Sequence, residues 1–249
     1  MIRLRNLRVG FGARLVLDGV DLDIDDLVTT VILGRSGIGK SVLLKAILGL
    51  VTIQTGSIEI DGQDLAPLSP RKRADLRAKI GMLLQNGGLF DSMTVYENIA
   101  FPLRYHRLAS GADLDRRVRD LAALVDMTEA LDQEPSDLSG GMRRRAALAR
   151  CLVQDPDYLF YDEPTTGLDP ATSALVETLI HRVATERQLT SVVVTHDLDL
   201  VRYLGDRIAL LDAGSIVACQ NRTEALAPGS RIWETFITAR EKIHSGQQI

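Results

Sequence analysis

Three clusters of residues have the types and spacing to handle phosphate. Gly34-Arg35-Ser36-Gly37-Ile38-Gly39-Lys40-Ser41 spells G-x-x-x-x-G-K-S. Its glycines let the backbone curl so that successive N–H groups face one phosphate chain, and a helix starting at its end favours negative charge there. In such a loop Lys40 reaches the β- and γ-phosphates of a nucleotide, and the Ser41 hydroxyl is a ligand for Mg²⁺. About 120 residues later, Tyr158-Leu159-Phe160-Tyr161-Asp162-Glu163 is an apolar run ending in two adjacent carboxylates. Strand alternation would point the two to opposite sides and give them different tasks, Asp162 holding Mg²⁺ through water and Glu163 polarising the water that attacks the γ-phosphate. Between them, Leu138-Ser139-Gly140-Gly141-Met142 precedes Arg143-Arg144-Arg145-Ala146-Ala147-Leu148-Ala149-Arg150. A serine cap followed by two bare glycines makes a second helix N-terminus suited to an anion, more than one nucleotide in one chain requires.

The elements that must carry these clusters are legible from periodicity. Val28–Leu33 reads as a buried strand before the glycine loop, and Val42, Leu43, Leu44, Ala46, Ile47 and Leu48 as the helix after it. Residues 2–9, 16–22 and 56–62 read as strands with glycine-bounded turns, residues 68–73 as the proline-capped, basic start of a short helix, and residues 80–85 as a strand ending at Gln85. Residues 94–108, 111–126 and 139–154 carry helical patterns. Residues 158–161 and 191–195 are unbroken apolar strands, separated by a helix over 171–187 that places Leu175, Leu179, Ile180 and Val183 on one face. Strands that alternate with helices and are apolar throughout imply an α/β fold with a mostly parallel sheet covered on both sides, into which the helical stretch is inserted.

At 249 residues the chain can bury a substantial core. Its 25% charged and 45% hydrophobic residues are ordinary for a globular protein, and a net charge of −4 argues against a nucleic-acid partner. Two cysteines, Cys151 and Cys219, read as buried free thiols of a reducing compartment. Nothing at the N-terminus has the pattern of a signal peptide, and no apolar stretch reaches the roughly 18 residues needed to cross a bilayer.

With phosphate-handling motifs on both sides of it, Leu138-Ser139-Gly140-Gly141 resembles the signature of the ATP-binding cassette (ABC) family, which closes over nucleotide held by the opposite subunit. The resemblance runs almost end to end. It implies a P-loop NTPase (RecA-like) core with a small antiparallel β subdomain and an inserted α-helical subdomain. Residues 1–85 and 156–227 would form the nucleotide-binding core, 86–155 the helical subdomain and 228–249 a helical tail. It also implies ATP and Mg²⁺ as cofactors and ATP hydrolysis as the activity. Gln85 matches the Q-loop glutamine that senses Mg²⁺ and attacking water. Gly167-Leu168-Asp169 matches the D-loop, and His196 after Val192-Val193-Val194-Thr195 matches the switch histidine on the γ-phosphate. A histidine at a strand end is by itself more often structural, but this one comes 33 residues after Glu163 and directly before Asp197. Phe11 looks like the aromatic that stacks on adenine. Three departures stand out: Leu27 where most members have a turn glycine, Met142 in place of the signature glutamine, and the basic run Arg143-Arg144-Arg145. None removes a catalytic group.

One cassette without a membrane span resembles the ATPase subunit of a transporter assembled from separate chains. Such a subunit forms an ATP-sandwich homodimer, sits on the cytoplasmic face of the inner membrane, and docks a membrane permease through the groove from Gln85 to Leu103. Gly87-Gly88-Leu89-Phe90-Asp91-Ser92-Met93-Thr94-Val95, followed by Phe101-Pro102-Leu103, is similar to ATPases of the Mla- and Mce-associated lipid transporters. That resemblance implies phospholipid cargo and a lipid-binding Mce-domain partner. A cassette for amino acids, metals or lipoproteins is the alternative, and a soluble non-transport cassette protein a more distant one. In the tail, Trp233, Phe236, Ile237 and Arg240 fall at helical spacing, for packing on the chain itself or across a dimer.

Overall fold

The structure, a computed structural model, describes residues 1–237. In chain order the elements are β1 (Ile2–Phe11), β2 (Arg14–Ile24), β3 (Thr29–Leu33), α1 (Lys40–Ile47), β4 (Thr55–Ile60), β5 (Gln63–Asp64), α2 (Pro70–Ala78), β6 (Ile80–Leu83), α3 (Val95–Tyr105), α4 (Gly111–Leu124), α5 (Gly140–Leu152), β7 (Tyr158–Asp162), α6 (Pro170–Glu186), β8 (Thr190–Thr195), α7 (Leu198–Leu204), β9 (Arg207–Asp212), β10 (Ser215–Asn221) and α8 (Arg222–Ala225). Two compact units emerge, one from residues 1–74 with the C-terminal part from Thr190, the other from Asp75–Leu189.

The first unit carries a four-stranded antiparallel sheet in the order β2-β1-β4-β5. Beside it, β3 is paired in parallel with β8 on one side and β9 on the other, and β10 runs antiparallel to β9. All five residues of β3 and all six of β8 are buried, their threonines and Ser191 included, as strands of a parallel sheet covered on both faces are. Helix α1 packs on β8 and β2 and buries Leu43, Leu44, Ala46 and Ile47, whereas Val42, expected to share that face, is half-buried. Each wholly buried leucine contributes about 1.5–3 kcal/mol, which clamps the start of the helix to the sheet. Leu27 precedes β3 at φ +60°, a left-handed conformation suited to the glycine it replaces. Its side chain stays 65% exposed, and its N–H donates to Thr190 Oγ1 at 2.9 Å.

In the second unit β6 and β7 pair in parallel, and α5 is the hub, packed against α3, α4, α6 and β6. Thr94 and Glu97 form a reciprocal capping box at the start of α3. Helix α6 buries Val176, Leu179, Ile180 and Val183, so Val176 takes the place expected of Leu175, which is 67% exposed. One residue of phase separates the two on a helix, and the neighbouring elements decide which turns inward. Strand β6 ends at Leu83, so Gln85 lies beyond it in the following loop. Both cysteines are free and half-buried as whole residues, with the Cys151 thiol turned inward onto the Met82 carbonyl. The last described turn, Trp233–Ile237, holds the start of the expected tail stripe; Arg240 lies outside the described residues.

Candidate functional site

In the first unit the phosphate loop joins β3 to α1. Gly37 and Gly39 take φ +76° and +115°, and Gly39 is the N-cap residue of α1. A Cβ on Gly39 would come within 3.0 Å of Val16 Cγ1, so conformation and space both call for glycine there. Lys40 is 5% exposed, and its ammonium donates to the carbonyl oxygens of Gly34 (2.8 Å) and Arg35 (3.1 Å). The lysine thus braces the loop with its charge held under it. Arg35, Ser36 and Gly37 are exposed, Ile38 and Ser41 half-buried, and Gly34 is buried. The exposed rim of the loop and the helix N-terminus behind it suit an anion.

The parallel register Leu33↔Thr195 brings His196 to the same end of the sheet, and Gly34 N–H donates to the Thr195 carbonyl at 3.2 Å. His196 is exposed. Asp197 N–H donates to Thr195 Oγ1 (3.0 Å), and the Asp197 carboxylate caps α7. These turns fix the backbone on both sides of the histidine. Phe11 ends β1 at a hairpin tip and is 54% exposed, so it is not a core residue.

In the second unit every residue of β7 is buried, and the strand delivers Asp162 (6% exposed) and Glu163 (8%) at its C-terminal end. The two do not alternate as strand neighbours. The strand stops at Asp162, and Glu163 takes φ +49°. A left-handed conformation costs a non-glycine residue about 1–2 kcal/mol, and persists where surrounding bonds hold it. Thr166 Oγ1 donates to Glu163 Oε2 (3.1 Å), and Thr166 N–H to the Glu163 carbonyl (3.3 Å). A turn, rather than strand alternation, separates the two carboxylates.

Ser139 is the exposed N-cap of α5, its Oγ accepting from Met142 N–H at 3.2 Å. Gly141 is buried, and a Cβ there would lie 2.4 Å from Thr172 Cγ2; Gly140 would come to 3.0 Å from Leu168 Cδ2. The paired glycines let α5 approach the start of α6. Asp169 caps α6, accepting from Thr172 N–H (3.0 Å) and Thr172 Oγ1 (2.5 Å). Those bonds, the hydroxyl's first, hold its carboxyl below the usual carboxylate range. Gln85 is exposed.

Residues 17–166 match the family described as ABC transporter. The chain belongs to that family. It is 36% identical over 96% of its length to the probable ribonucleotide transport ATP-binding protein mkl of Mycobacterium leprae, covering 69% of that protein. To the intermembrane phospholipid transport system ATP-binding protein MlaF of Haemophilus influenzae it is 38% identical over 88% of its length, covering 83% of MlaF. To the methionine import ATP-binding protein MetN of Leifsonia xyli subsp. xyli it is 41% identical over 87% of its length, covering 64% of MetN. Among solved structures, the dimeric post-hydrolysis state of the ATP-binding cassette MJ0796 bound to ADP and phosphate matches with a TM-score of 0.80 at 30% identity, covering 89% of this chain and 99% of that one. The chain is an ATP-binding ATPase subunit of an ABC transporter with the P-loop NTPase fold.

In this ABC ATPase the basic run after the signature is not a solvated stripe, a role that motif reading left unassigned. Each arginine reaches a different stretch of backbone. Arg143 donates to the carbonyls of Leu138 (2.7 Å) and Pro135 (3.3 Å), and Arg145 to that of Asp126 (2.9 Å). Arg144, 7% exposed, donates through Nε to Pro164 (3.0 Å), through Nη2 to Thr166 (3.3 Å) and, at a longer 3.5 Å, through Nη1 to Leu84. Arg150 lies over the Phe90 ring, 5.6 Å from its centroid, and donates to the Gly87 carbonyl at 3.4 Å. Consecutive helix positions point about 100° apart, so the three arginines leave α5 in three directions, but nothing in the sequence distinguishes backbone carbonyls from water as what they meet.

Proposed function

We propose that this ABC ATPase dimerises on ATP and drives a separate membrane permease, with phospholipid as cargo. The observation that carries the cargo reading is the resemblance to MlaF, which covers 83% of that protein, together with the Gly87–Leu103 sequence. Similarity to MetN supports methionine as the rival cargo. The dimeric MJ0796 cassettes support the ATP-sandwich homodimer. Among the described residues no helix is long and apolar enough to cross a membrane, in keeping with a subunit peripheral to the cytoplasmic face of the inner membrane. The stretch from Gln85 to Leu103, continued by Tyr105, offers the permease an aromatic face: Phe90 and Phe101 lie 4.9 Å apart, Phe101 and Tyr105 5.7 Å, and Tyr105 is 71% exposed. An Mce-domain lipid-binding protein would complete the assembly.

In the reaction we assign, water attacks the γ-phosphate in line. Gly34 to Ser41 wrap the phosphates with backbone N–H groups, and Lys40 exchanges its loop carbonyls for β- and γ-phosphate oxygens. Glu163 accepts the proton of the attacking water. His196 donates to the γ-phosphate, and the Ser139-Gly140-Gly141 helix start, with Asp169 capping the helix packed against it, serves the nucleotide of the opposite subunit. Phe11 stacks on adenine. Ser41 in the first unit, and Asp162 and Gln85 in the second, carry hard oxygen donors of the kind that would hold Mg²⁺, and the ion when bound would neutralise charge on the phosphates.

Glu163→Gln is expected to retain ATP binding and nearly abolish turnover, trapping an ATP-bound dimer visible by size-exclusion chromatography. Hydrolysis at the parent rate would remove Glu163 as the base. Lys40→Ala is expected to weaken nucleotide binding, and unchanged affinity would undo the phosphate-loop assignment. A mild-detergent pull-down from native membranes, with mass spectrometry of proteins and lipids, decides the cargo. A permease with an Mce-domain protein and phospholipid supports the reading, and a methionine-import permease replaces it.

A further inference from the structure

We infer that Arg144 is a positioning residue for ATP hydrolysis, clamping the turn that sets Glu163 in its left-handed conformation. The inference rests on the reading of Glu163 as the base. Glu163 leaves a wholly buried strand at φ +49°, and the turn it begins has no glycine to make that conformation easy. Arg144 brackets this turn. Its Nε bonds the carbonyl of Pro164, directly after the glutamate, and its Nη2 bonds the carbonyl of Thr166, whose hydroxyl in turn donates to Glu163 Oε2. One planar fork thus holds the backbone on both sides of Thr165, a geometry lysine cannot reproduce. The third arm reaches the Leu84 carbonyl, the residue before Gln85, at 3.5 Å.

The setting of Arg144 is costly for a residue that only fills space. Arg144 as a residue is 7% exposed, and among the described residues its hydrogen bonds all go to backbone carbonyls rather than to a carboxylate. Burial, with the adjacent Arg143 charge as the lesser cause, lowers its pKa. Pro164, Thr165 and Thr166 lie at one end of the fork and the signature Ser139 five residues before Arg144 on the same helix start. The arginine therefore ties the conformation of the base to the helix whose N-terminus we assign to the partner's nucleotide.

The test uses the 249-residue chain, with Arg144→Gln and Arg144→Lys, alone and combined with Glu163→Gln. Turnover and ATP affinity are measured separately. A base displaced by about an ångström loses on the order of 100-fold in rate. The expected result is therefore kcat lower by about 10–100-fold in Arg144→Gln, a smaller loss in Arg144→Lys, and ATP affinity within about twofold of the parent in both. In the Glu163→Gln background Arg144→Gln is expected to change the residual single-turnover rate by less than about twofold, because the group it positions is gone. Parent kcat in Arg144→Gln overturns the inference. So does a parallel loss of ATP affinity and turnover in both variants, or a full additional loss in the Glu163→Gln background, since each marks a structural role. Hydrolysis by Glu163→Gln itself at the parent rate would instead overturn the underlying assignment of the base.

Discussion

Replacing Gly141 with alanine places a methyl group 2.4 Å from Thr172 Cγ2, where real Cβ contacts essentially never fall below 3.0 Å. Thr172 cannot swing aside freely, because its hydroxyl and its N–H both bond the Asp169 carboxylate that caps α6. Overpacking of this kind costs about 1–3 kcal/mol. Alanine recovers part of the roughly 1 kcal/mol that separates it from glycine in a helix, only part because Gly141 lies in the first turn. The net expectation is a loss of about 1–2 kcal/mol, or a fall of roughly 3–6 °C in Tm for a chain of this size. Thr172→Ser removes the offending methyl and keeps the hydroxyl. In that background Gly141→Ala is expected to be neutral or stabilising by up to about 1 kcal/mol, a coupling of about 1–3 kcal/mol in a double-mutant cycle. Urea denaturation of the four nucleotide-free proteins measures it. An equal cost for Gly141→Ala in both backgrounds would refute the contact as the reason for glycine at this position.

Thr172→Val is expected to raise the Asp169 pKa toward the ordinary carboxylate value, since the hydroxyl's hydrogen bond is the largest cause of its depression. A carboxyl depressed on folding adds stability that is complete above its unfolded pKa near 4 and is lost as pH falls through the folded value. The parent should therefore lose more stability than the valine variant over that acid range, and NMR titration of Asp169 reads the shift directly. Burial pushes the Cys151 thiol, which donates to the Met82 carbonyl at 3.0 Å, up to about 11. At pH 8 only about one Cys151 in a thousand is then thiolate, so maleimide or disulfide reagents should modify it far more slowly in the native protein than after unfolding. The same shift means that stability falls as pH rises from about 8.5, the ordinary thiol value, through the folded value, and equal labelling rates in folded and unfolded chains would refute the burial.

The chemistry was readable from the chain wherever it is contiguous. Gly34 to Ser41 need only a strand before them and a helix after, both written in short apolar runs beside the motif, and the structure supplies β3 and α1 there. Asp162 and Glu163 announce themselves as two carboxylates after a buried strand, although the left-handed step at Glu163 depends on bonds from Thr166, whose reach no periodicity encodes. Motif resemblance nominated Ser139 and His196, and marked Leu27 as a departure that could reshape the approach to β3; Leu27 instead keeps a left-handed φ of +60°.

Other features belong to no local pattern. Leu175 and Val176 are equally apolar neighbours, and only what packs against α6 selects which is buried. Strands β9 and β10 and helix α7 went unassigned by periodicity; pairing of β9 with β3, pairing of β10 with β9, and capping by Asp197 define them. The arginines are the clearest case. A guanidinium can lie in water along a helix or cross several ångströms to bind carbonyls, and the sequence Arg143-Arg144-Arg145 is the same in either event. By itself the sequence nominated residues with the chemistry to bind phosphate and accept a proton, since that is a property of side chains and short-range geometry. Tertiary structure alone decided what holds them, Arg144 on the carbonyls of Pro164 and Thr166 and Thr172 against Gly141, because hydrogen bonds and close contacts form between atoms brought together from distant points on the chain.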